Sequence, residues 1–362
     1  MKKKLLFLAV AGLALASCSS DETVATQVNR GANEISFRTN VNGVTRAADI
    51  TGFTSTPFMV RADKGGSPYF PETQFSYDGS SSWTSSTKYY WPTDGSTLTF
   101  YAYAPTSDAQ FTHTAGENTF VVTPSSTAAS QVDLVYATAT GTKANSGGVT
   151  LTFGHMESKV VIMLKNTNSN LKITANKVVI GNVYGSGTYT MGTGWGSLTS
   201  AASSYTQSYS GTEYTTASQA GVDMILIPQT LTNATTYHDA TDGAVFDGSY
   251  ITVDLKIQNN TSPYAYIVGT SETYVTALFP LPATVWNSGY KYVYTVDLAG
   301  GGYYPTNKNS TSSDLDPILE GGEIKFVSVT VSGWTPYDGD GDGNADADGD
   351  GYNDNDPIDV GM

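Results

Sequence analysis

Short apolar runs separated by turn residues constrain the fold of this chain more than any other feature of its sequence. The clearest runs lie at 58–60, 75–77, 98–104 and 120–122, and Asp-Gly-Ser triplets at 78–80 and 94–96 separate some of them. Each run has the length of a strand, and successive Asp, Gly and Ser favour turns. This spacing favours a sandwich or barrel over units in which strands alternate with helices. We therefore predict an all-β fold.

Alternation of apolar and polar residues indicates how single strands are buried. Ile35 and Phe37 alternate with polar residues within 34–41, which predicts a half-buried strand. The apolar runs at 160–164 and 224–227 are continuous, and we predict that they are central strands covered on both faces.

Later segments repeat the alternating pattern. Apolar residues alternate with polar ones at 253–257, and Tyr and Val occupy every second position at 292–296. The last core strand is predicted at 323–331, where a change of phase indicates a β-bulge near Phe326. Residues 154–158 are predicted to form a bend between two sandwiches.

The charge of the chain excludes some classes of partner. Acidic residues outnumber basic ones by 33 to 18, for a formal net charge of −15, and nine of the acids lie in 338–362. Nucleic acids and anionic membranes are both bound through clusters of Lys and Arg, and apart from the three lysines at 2–4 the sequence contains no such cluster. We therefore predict that neither is a partner.

The N-terminus predicts a secreted lipoprotein. Three lysines at 2–4 precede an apolar run at 5–16, which is shorter than the roughly 20 residues that a membrane-spanning helix needs. Residues 15–18, Leu-Ala-Ser-Cys, resemble the lipobox of bacterial lipoproteins, and Cys18 is the only cysteine. The resemblance implies that 1–17 is a signal peptide, that Cys18 carries a covalent lipid, and that 18–33 is a tether.

The tether also bears on the localisation of the protein. Its Ser-Ser-Asp-Glu segment at 19–22 looks like the acidic signal that sends lipoproteins of Bacteroidetes to the cell surface; a plain polar linker is the alternative. Two or more acyl chains anchor a protein stably. We predict an outer-membrane, cell-surface protein that contacts the membrane only through its lipid.

Ten short stretches, in order, resemble the fimbrillin (FimA/Mfa-like) family of Bacteroidetes surface proteins. They are Glu-Ile-Ser-Phe at 34–37, Thr-Arg-Ala at 45–47, Tyr-Trp-Pro at 90–92, and the segments 98–105, 131–137, 151–155, 158–160, 226–229, 286–292 and 329–334. The resemblance implies two transthyretin-like β-sandwich domains in tandem, at 34–157 and 158–337. It also implies a non-enzymatic role in pili or adhesion. The implied partners are other pilus subunits, joined by strand donation, and a receptor or glycan on a host or bacterial surface.

The same resemblance implies a maturation cut after an arginine that follows the first strand. Arg46 occupies that place and Ala47 would become the new N-terminus; an ordinary loop arginine is the alternative. The cut would remove the strand at 34–41 with its lipid and expose unpaired backbone groups. A strand from another subunit would fill the groove by β-augmentation, and the chain would pass from the membrane into a pilus.

The C-terminal tail, 338–362, departs from the pattern expected of a stalk subunit. Stalk subunits of the family are expected to donate a strand from their C-terminus, and this tail has no apolar alternation. A tip or accessory role is therefore favoured over a stalk role.

Acidic residues in the tail repeat with the spacing of calcium loops. Carboxylates at alternate positions converge on one ion while glycine makes the turn, but position twelve lacks the bidentate Glu of an EF-hand. The repeat resembles thrombospondin type 3 or dockerin-like loops; a disordered solubilising tail is the alternative. The predicted calcium site comprises Asp338, Asp340, Asp342, Asn344, Asp346, Asp348, Asp350, Tyr352, Asp354 and Asp356.

The sequence contains no recognisable catalytic motif. His113, His155 and His238 lack metal-binding spacing, and there is no nucleophile elbow, phosphate loop or dinucleotide fingerprint. We predict that the protein is not an enzyme and that His155 is structural.

The alternative function is that of a lipid-anchored glycan-binding protein that does not polymerise. Its aromatic residues in or near predicted loops are Tyr69, Tyr89, Tyr90, Trp91, Trp195, Tyr205 and Tyr209. Packing in the core is the competing interpretation and is favoured for Tyr90 and Trp91.

Overall fold

The computed structural model describes residues 33–41, 53–79, 83–145, 147–214, 218–219, 223–232, 247–305, 315–320, 327–334 and 358–359. Their regular structure consists of β-strands and two short 3₁₀ helices, Ala128–Ser130 and Leu298–Gly300. The predicted all-β fold is confirmed. In this part of the chain, no helix is long and apolar enough to cross a membrane.

The strands are numbered in chain order. The first nine are β1 (Phe37–Val41), β2 (Phe58–Lys64), β3 (Ser67–Tyr77), β4 (Trp83–Thr84), β5 (Leu98–Ala104), β6 (Phe111–His113), β7 (Thr119–Val122), β8 (Val135–Gly141) and β9 (Val149–His155). The next seven are β10 (Ser158–Lys165), β11 (Leu171–Val183), β12 (Ser186–Thr190), β13 (Gly194–Thr199), β14 (Ser203–Tyr214), β15 (Ser218–Gln219) and β16 (Met224–Leu226). The last six are β17 (Tyr250–Asn259), β18 (Tyr266–Val268), β19 (Val275–Pro280), β20 (Tyr290–Asp297), β21 (Ser328–Gly333) and β22 (Ile358–Asp359).

The first nine strands, without β6 and β7, form a seven-stranded sheet in the order β1-β9-β8-β5-β2-β3-β4. The pairing of β1 with β9 is parallel, and the other pairings are antiparallel. The sheet curls on itself, because the ring of Phe37 in β1 lies 5.0 Å from that of Phe75 in β3 near the opposite edge. The curl encloses an aromatic-rich core, here called the inner core.

Strand β5 has apolar side chains on both faces because both faces of the sheet are covered. Leu98, Phe100 and Ala102 are fully buried in the inner core. Tyr101 and Tyr103 point the other way, into a second core that the seven-stranded sheet shares with a four-stranded sheet. Full coverage explains why the run at 98–104 is almost continuously apolar.

The four-stranded sheet is assembled from two distant parts of the chain. Its order is β13-β12-β7-β6, so the hairpin of β12 and β13 pairs with strands that precede the bend by many residues. Tyr189 in β12 and Phe120 in β7 are both buried in the second core. A division of the sequence at 157/158 therefore separates strands that are hydrogen-bonded to each other. The assignment of two domains to 34–157 and 158–337 stays a prediction.

The remaining strands form a sandwich of two sheets. One sheet has the order β15-β10-β20-β21-β22, with β16 also on β10, and the other has the order β14-β11-β17-β18, with β19 also on β17. The core between them contains the side chains predicted from alternation, since Val253, Leu255 and Ile257 are fully buried. Tyr292 and Tyr294 are buried in the same core, which confirms the predicted strand face.

Three further expectations have mixed outcomes. Nearly all of β10 is buried and it has partners on both sides, as predicted for a central strand. All of β16 is buried too, but in the described structure it pairs with β10 alone, so its predicted central position is wrong. The chain bends at Met156 and Glu157, between β9 and β10, within the predicted bend. The last strand, β21, extends two residues beyond the predicted end at 331, and the bulge predicted near Phe326 lies outside the described residues.

If the hairpin is an integral part of the second core, replacing Tyr189 should weaken the whole protein. The Tyr189 side chain is 2% exposed and its ring lies 5.3 Å from Tyr136 in β8. We expect Tyr189→Ala to lower the free energy of unfolding by about 3 kcal/mol or more, as truncation of buried aromatic residues does. Urea denaturation measures this change.

The matched control is Val121→Ala in the neighbouring strand β7. The Val121 side chain is 47% exposed, so its truncation should change the free energy of unfolding by about 0.5 kcal/mol or less. Equal effects of the two substitutions would contradict the role of the hairpin.

Candidate functional site

Strand β1 lies at an edge of the seven-stranded sheet, where β9 is the one strand paired with it in the described structure. The parallel register runs from Phe37 opposite Val149 to Val41 opposite Phe153. The Val149 N–H also donates a hydrogen bond of 2.8 Å to the Ser36 carbonyl. An edge strand of this kind can leave without breaking the pairing of any other two strands.

The residues just before β1 make contact with a second segment. The Ile35 N–H donates to the Tyr89 carbonyl over 2.8 Å, and the Trp91 N–H donates to the Asn33 carbonyl over 2.9 Å. This short antiparallel contact, centred on Glu34, joins the start of β1 to the far side of the curled sheet. Residues 33–41 therefore connect β9, at one edge of the curled sheet, with the segment around Tyr90 on the opposite side of the inner core.

Two side chains insert β1 into the inner core. Ile35 and Phe37 are each 4% exposed, as the alternation in the sequence predicts. The Phe37 ring lies edge-on to Phe75 at 5.0 Å and to Phe100 at 5.3 Å. Full burial of such a side chain stabilises a protein by about 1.5–3 kcal/mol. Loss of β1 would expose this aromatic pocket to water.

The inner core also contains residues that follow the segment 42–52. The chain re-enters the core at Phe53, which is 1% exposed. Its ring lies 4.2 Å from Phe153 and 5.1 Å from Phe58. These contacts do not involve β1, so the pocket has packing of its own that a cut between Val41 and Phe53 would leave in place.

Most of the site residues predicted from sequence lie outside the described residues. These are Cys18, Arg46, Ala47, and the calcium-site residues Asp338, Asp340, Asp342, Asn344, Asp346, Asp348, Asp350, Tyr352, Asp354 and Asp356. In the part of the chain that the structure does describe, no three His, Cys, Asp or Glu residues group as metal ligands would. Within the tail, Ile358 and Asp359 pair antiparallel with β21.

The aromatic residues proposed for glycan binding fall into two groups. Trp91 and Tyr205 are buried in cores, and Tyr89 stacks on the buried Phe70 with ring centroids 4.2 Å apart. Trp195 and Tyr209 are half-buried.

The two that reach solvent are neighbours beside β1. Tyr69 is 36% exposed, and its hydroxyl donates to the carbonyl of Tyr90 over 2.7 Å. The Tyr90 side chain is 52% exposed, so the core packing favoured for it is wrong. Its backbone faces Glu34 in the antiparallel contact, and its ring is left on the outside of the curl.

A buried ion pair that the sequence did not reveal links β3 to β6. The His113 Nε2 and Glu72 Oε1 atoms are 2.6 Å apart, and both side chains are less than a tenth exposed. Burial is the largest single influence and by itself would lower the pKa of His113 and raise that of Glu72. Their mutual hydrogen bond, their opposite charges, and the bonds of His113 to the Thr119 carbonyl and of Glu72 to the Gly116 N–H together outweigh it, so the pKa of His113 is raised and that of Glu72 is lowered. The partners are 41 residues apart in the chain, and no local motif could indicate the pairing.

A second polar cluster lies at the bend between β9 and β10. His155 Nδ1 is 2.9 Å from Asp133 Oδ1, and the His155 ring stacks on Trp334 at 3.8 Å. The Leu134 N–H donates to Glu157, whose pKa is raised well above the usual value by complete burial and by the charge of Asp133. His155 thus packs within a closed junction, as expected of a structural histidine.

The chain matches a known protein family over most of its length. Residues 41–334 match a family model described as fimbrillin-like. Among curated protein sequences, none matches the chain.

Solved structures resemble the fold. A fimbrial protein from Bacteroides vulgatus ATCC 8482 is 15% identical over 84% of this chain and 100% of its own, with a TM-score of 0.54, and shows the same fold. Proteins with a suggested role in cell adhesion from Bacteroides ovatus and Bacteroides uniformis are 19% and 18% identical, each with a TM-score of 0.47. They cover 85% and 83% of this chain and 100% and 99% of their own chains.

The Glu72–His113 pair should make stability depend on pH in a defined window. The stabilisation from His113 is complete below its unfolded pKa of about 6.5 and is lost as the pH rises through its raised folded pKa. The stabilisation from Glu72 is complete above its unfolded pKa of about 4.3 and is lost as the pH falls through its lowered folded pKa. The pair therefore contributes most between about pH 4.3 and 6.5.

The measurement compares the wild type with His113→Gln. The difference in the free energy of unfolding should reach about 1.5–3 kcal/mol in that window and shrink toward alkaline pH, because a charged hydrogen bond is lost. Glu72→Gln should give the same pH profile. A difference that stays constant from pH 5 to pH 9 would show that the pair is not ionised.

Proposed function

This chain belongs to the fimbrillin-like family, and from that premise we propose that it is a fimbrial subunit that enters its assembly by exchanging strand β1 for a strand of another subunit. The family assignment makes it a non-enzymatic, cell-surface protein with the role of a fimbrial subunit or adhesin. Before exchange, the lipid on Cys18 would hold the chain at the outer membrane. After exchange, the chain would be part of the fimbria.

The observation that carries the proposal is the position of β1. It is an edge strand with one partner strand, and Phe37 fills a pocket between Phe75 and Phe100 that other strands build. Removing β1 would leave the backbone groups of β9 unpaired and the aromatic pocket open. The open apolar pocket is costly in water, and the unpaired backbone groups form a template for a new strand. One incoming strand with an apolar residue at the position of Phe37 would fill the pocket and pair with β9.

The distribution of arginine supports a single productive cut. The four arginines of the chain are Arg30, Arg38, Arg46 and Arg61. Arg38 lies within β1 and its Nε donates to the Gly147 carbonyl over 2.8 Å, and Arg61 lies within β2 and is only 6% exposed. A cut after Arg30 would leave β1 attached to the chain. A cut after Arg46 would release it.

A tip or accessory position is proposed from the C-terminal tail. The tail carries nine acidic residues and no basic one, and its sequence lacks the apolar alternation of a strand that fills a groove. A chain that receives a strand and donates none ends an assembly.

A second function, glycan binding by an uncleaved lipoprotein, is favoured by one observation. Tyr69 and Tyr90 are both exposed, and the Tyr69 hydroxyl bonds to the Tyr90 carbonyl near the start of β1, where the two residues would meet a ligand without any strand exchange. Tyrosine rings suit such contacts because they are large, rigid and amphipathic. In this case, native protein from the cell surface would begin at acylated Cys18 in every molecule.

An Arg-specific protease should convert the purified protein into a form that begins at Ala47. Release of β1 exposes the inner core, so we expect increased binding of the dye ANS. Edman sequencing identifies the new N-terminus. Arg46→Gln is the matched control and should show no increase in ANS binding after the same treatment.

A synthetic peptide with the sequence of residues 33–41 tests whether the groove itself causes these changes. In excess, it should return ANS binding to the level of the uncut protein, and the same peptide with Phe37→Ala should not. Proteolysis at Arg30 alone, or cleavage at Arg46 without exposure of the core, would refute strand exchange.

The tail is proposed to bind calcium. The proposal is supported by the repeated spacing of Asp and Asn in 338–356, which supplies oxygen ligands at alternate positions around a glycine turn. Without a metal ion, carboxylates this dense repel one another, so an ion would be needed to bring them together.

Isothermal titration with Ca²⁺ should give binding heat with a dissociation constant of about 10⁻⁴ M or weaker, the range of extracellular calcium modules. Deleting 338–362 should abolish this heat. Replacing Asp338, Asp340 and Asp342 by Asn should reduce it while leaving Ile358 and Asp359 in the chain. Heat that persists after the deletion would place the calcium elsewhere, and the absence of heat in the intact chain would reject the site.

A further inference from the structure

An exposed group of tyrosines and lysines lies on the outer face of the five-stranded sheet. Tyr264 is 61% exposed and Tyr266, in the edge strand β18, is 38% exposed. Lys256 in β17 places its Nζ 6.0 Å from the centre of the Tyr266 ring and 4.8 Å from that of Tyr274. Patches that expose several large rings together mark binding surfaces more often than single exposed residues do.

The backbone around these rings is held in place by hydrogen bonds. The Ala265 N–H donates to the Asn259 side chain over 2.6 Å, and the Asn259 N–H donates back to the Ala265 carbonyl over 3.1 Å. The turn before Tyr274 is closed by a bond from the Thr270 N–H to the Thr273 carbonyl. The rings are therefore presented by an ordered surface, which lowers the entropy lost when a ligand binds.

A glycine leaves space for the third ring. A Cβ atom at Gly211 in β14 would lie 2.3 Å from the Tyr274 hydroxyl oxygen. The Tyr274 side chain therefore lies across the sheet, from the start of β19 toward β14. A larger residue at 211 would displace it.

Among the residues that the structure describes on this face, one cation has no carboxylate partner. Lys172 pairs with Glu213 at 2.8 Å, and Lys177 pairs with Asp254 at 2.5 Å. The pKa of Lys172 is raised by Glu213 first and to a smaller degree by Tyr264 and Tyr266. Lys256 donates to the Ser271 carbonyl over 2.9 Å and makes no ion pair with any described carboxylate.

We propose that this face, defined by Tyr264, Tyr266, Tyr274, Lys256, Lys172 and Glu213, binds an oligosaccharide that carries a carboxylate. Sugar rings would lie against the tyrosine rings, and the carboxylate would pair with Lys256. Lys172 and Glu213 offer both donors and acceptors to sugar hydroxyls. The negative charge of the rest of the chain opposes this contact only weakly, because charges more than about 8 Å away are screened at physiological salt.

The site is independent of strand exchange, because its residues lie in or beside the sheet of β14, β11, β17, β18 and β19, whereas β1 belongs to the seven-stranded sheet. The uncut protein therefore serves for the test. The probes are 3′-sialyllactose and a hyaluronan hexasaccharide, which carry different acidic sugars, and lactose, which is neutral. The full-length protein is titrated with each probe, and the affinity is obtained from the change in intrinsic fluorescence or from calorimetry.

We expect at least one acidic probe to bind, and lactose to bind about tenfold more weakly, because the contact with Lys256 is lost. Tyr266→Ala and Lys256→Met should each weaken binding of the acidic probe by about tenfold. Raising the salt concentration from about 0.05 M to about 0.5 M should weaken binding of this probe to the wild type. Tyr264→Ala provides a second variant whose side chain is too exposed to affect folding. Unchanged thermal unfolding verifies the fold of each variant.

Two matched controls lie on other surfaces. Tyr290→Ala removes a ring that is 41% exposed in β20, and Lys143→Met removes an exposed charge in the turn before β9. Both should leave binding unchanged. The proposal is overturned if neither acidic probe binds, if lactose binds equally well, or if the controls weaken binding as much as the site variants do.

Discussion

The central strands of the seven-stranded sheet have to be covered on both faces, and much of the architecture follows from that constraint. One face is covered by the curl of the sheet itself, which β1 completes by placing Phe37 against Phe75 and Phe100. The other face is covered by a four-stranded sheet that needs the hairpin of β12 and β13. Covering the two faces with separate elements allows one to change while the other stays packed. The strand proposed to be exchanged belongs only to the first.

Local pattern in the sequence predicted the strands and their buried faces well. The alternation around Phe37, at 253–257 and at 292–296 identified side chains that are buried, because a period of two residues reports directly on the two faces of a strand. Which strands pair with each other could not be predicted in this way. The sequence at 186–199 indicates strands and a turn, but no local feature says that they pair with β7 rather than with a sheet formed by their neighbours.

The candidate sites, too, were predictable only where a local sequence pattern indicates them. The position of Phe37 in the N-terminal strand followed from periodicity, whereas the Glu72–His113 pair depends on two strands that meet only in the folded protein. Tyr90 was misjudged because a strand-like neighbourhood does not reveal which side of a curled sheet a ring will occupy. Tyr264 and Tyr266 were not singled out, although two tyrosines spaced by one residue beside a proline indicate a strand edge with both rings on one face.

The bend at 156–157 combines polar groups that would be unfavourable to bury singly. His155 pairs with Asp133 and stacks on Trp334, and Lys159 pairs with Asp223 at 2.8 Å. Buried charges are tolerated when they are paired in a fixed geometry, and removing one partner leaves the other uncompensated. Such a cluster therefore fixes the geometry in which β9, β10 and the end of β21 meet, because other arrangements would leave its charges unpaired.

The hairpin of β12 and β13 has a mechanical consequence. A filament at a cell surface carries tension, and in a chain with a single connection between two sandwiches all of that force would pass through one bend. Here three of the described connections between strands, at 155–158, 183–186 and 199–203, each run between the two sandwiches. Force applied to β7 is shared with β12 through a row of backbone hydrogen bonds that must break together when the strands are pulled along their length. Separation of the two sandwiches would thus require the loss of a whole ladder of bonds, so the subunit resists stretching at the place where a two-part protein would otherwise be weakest.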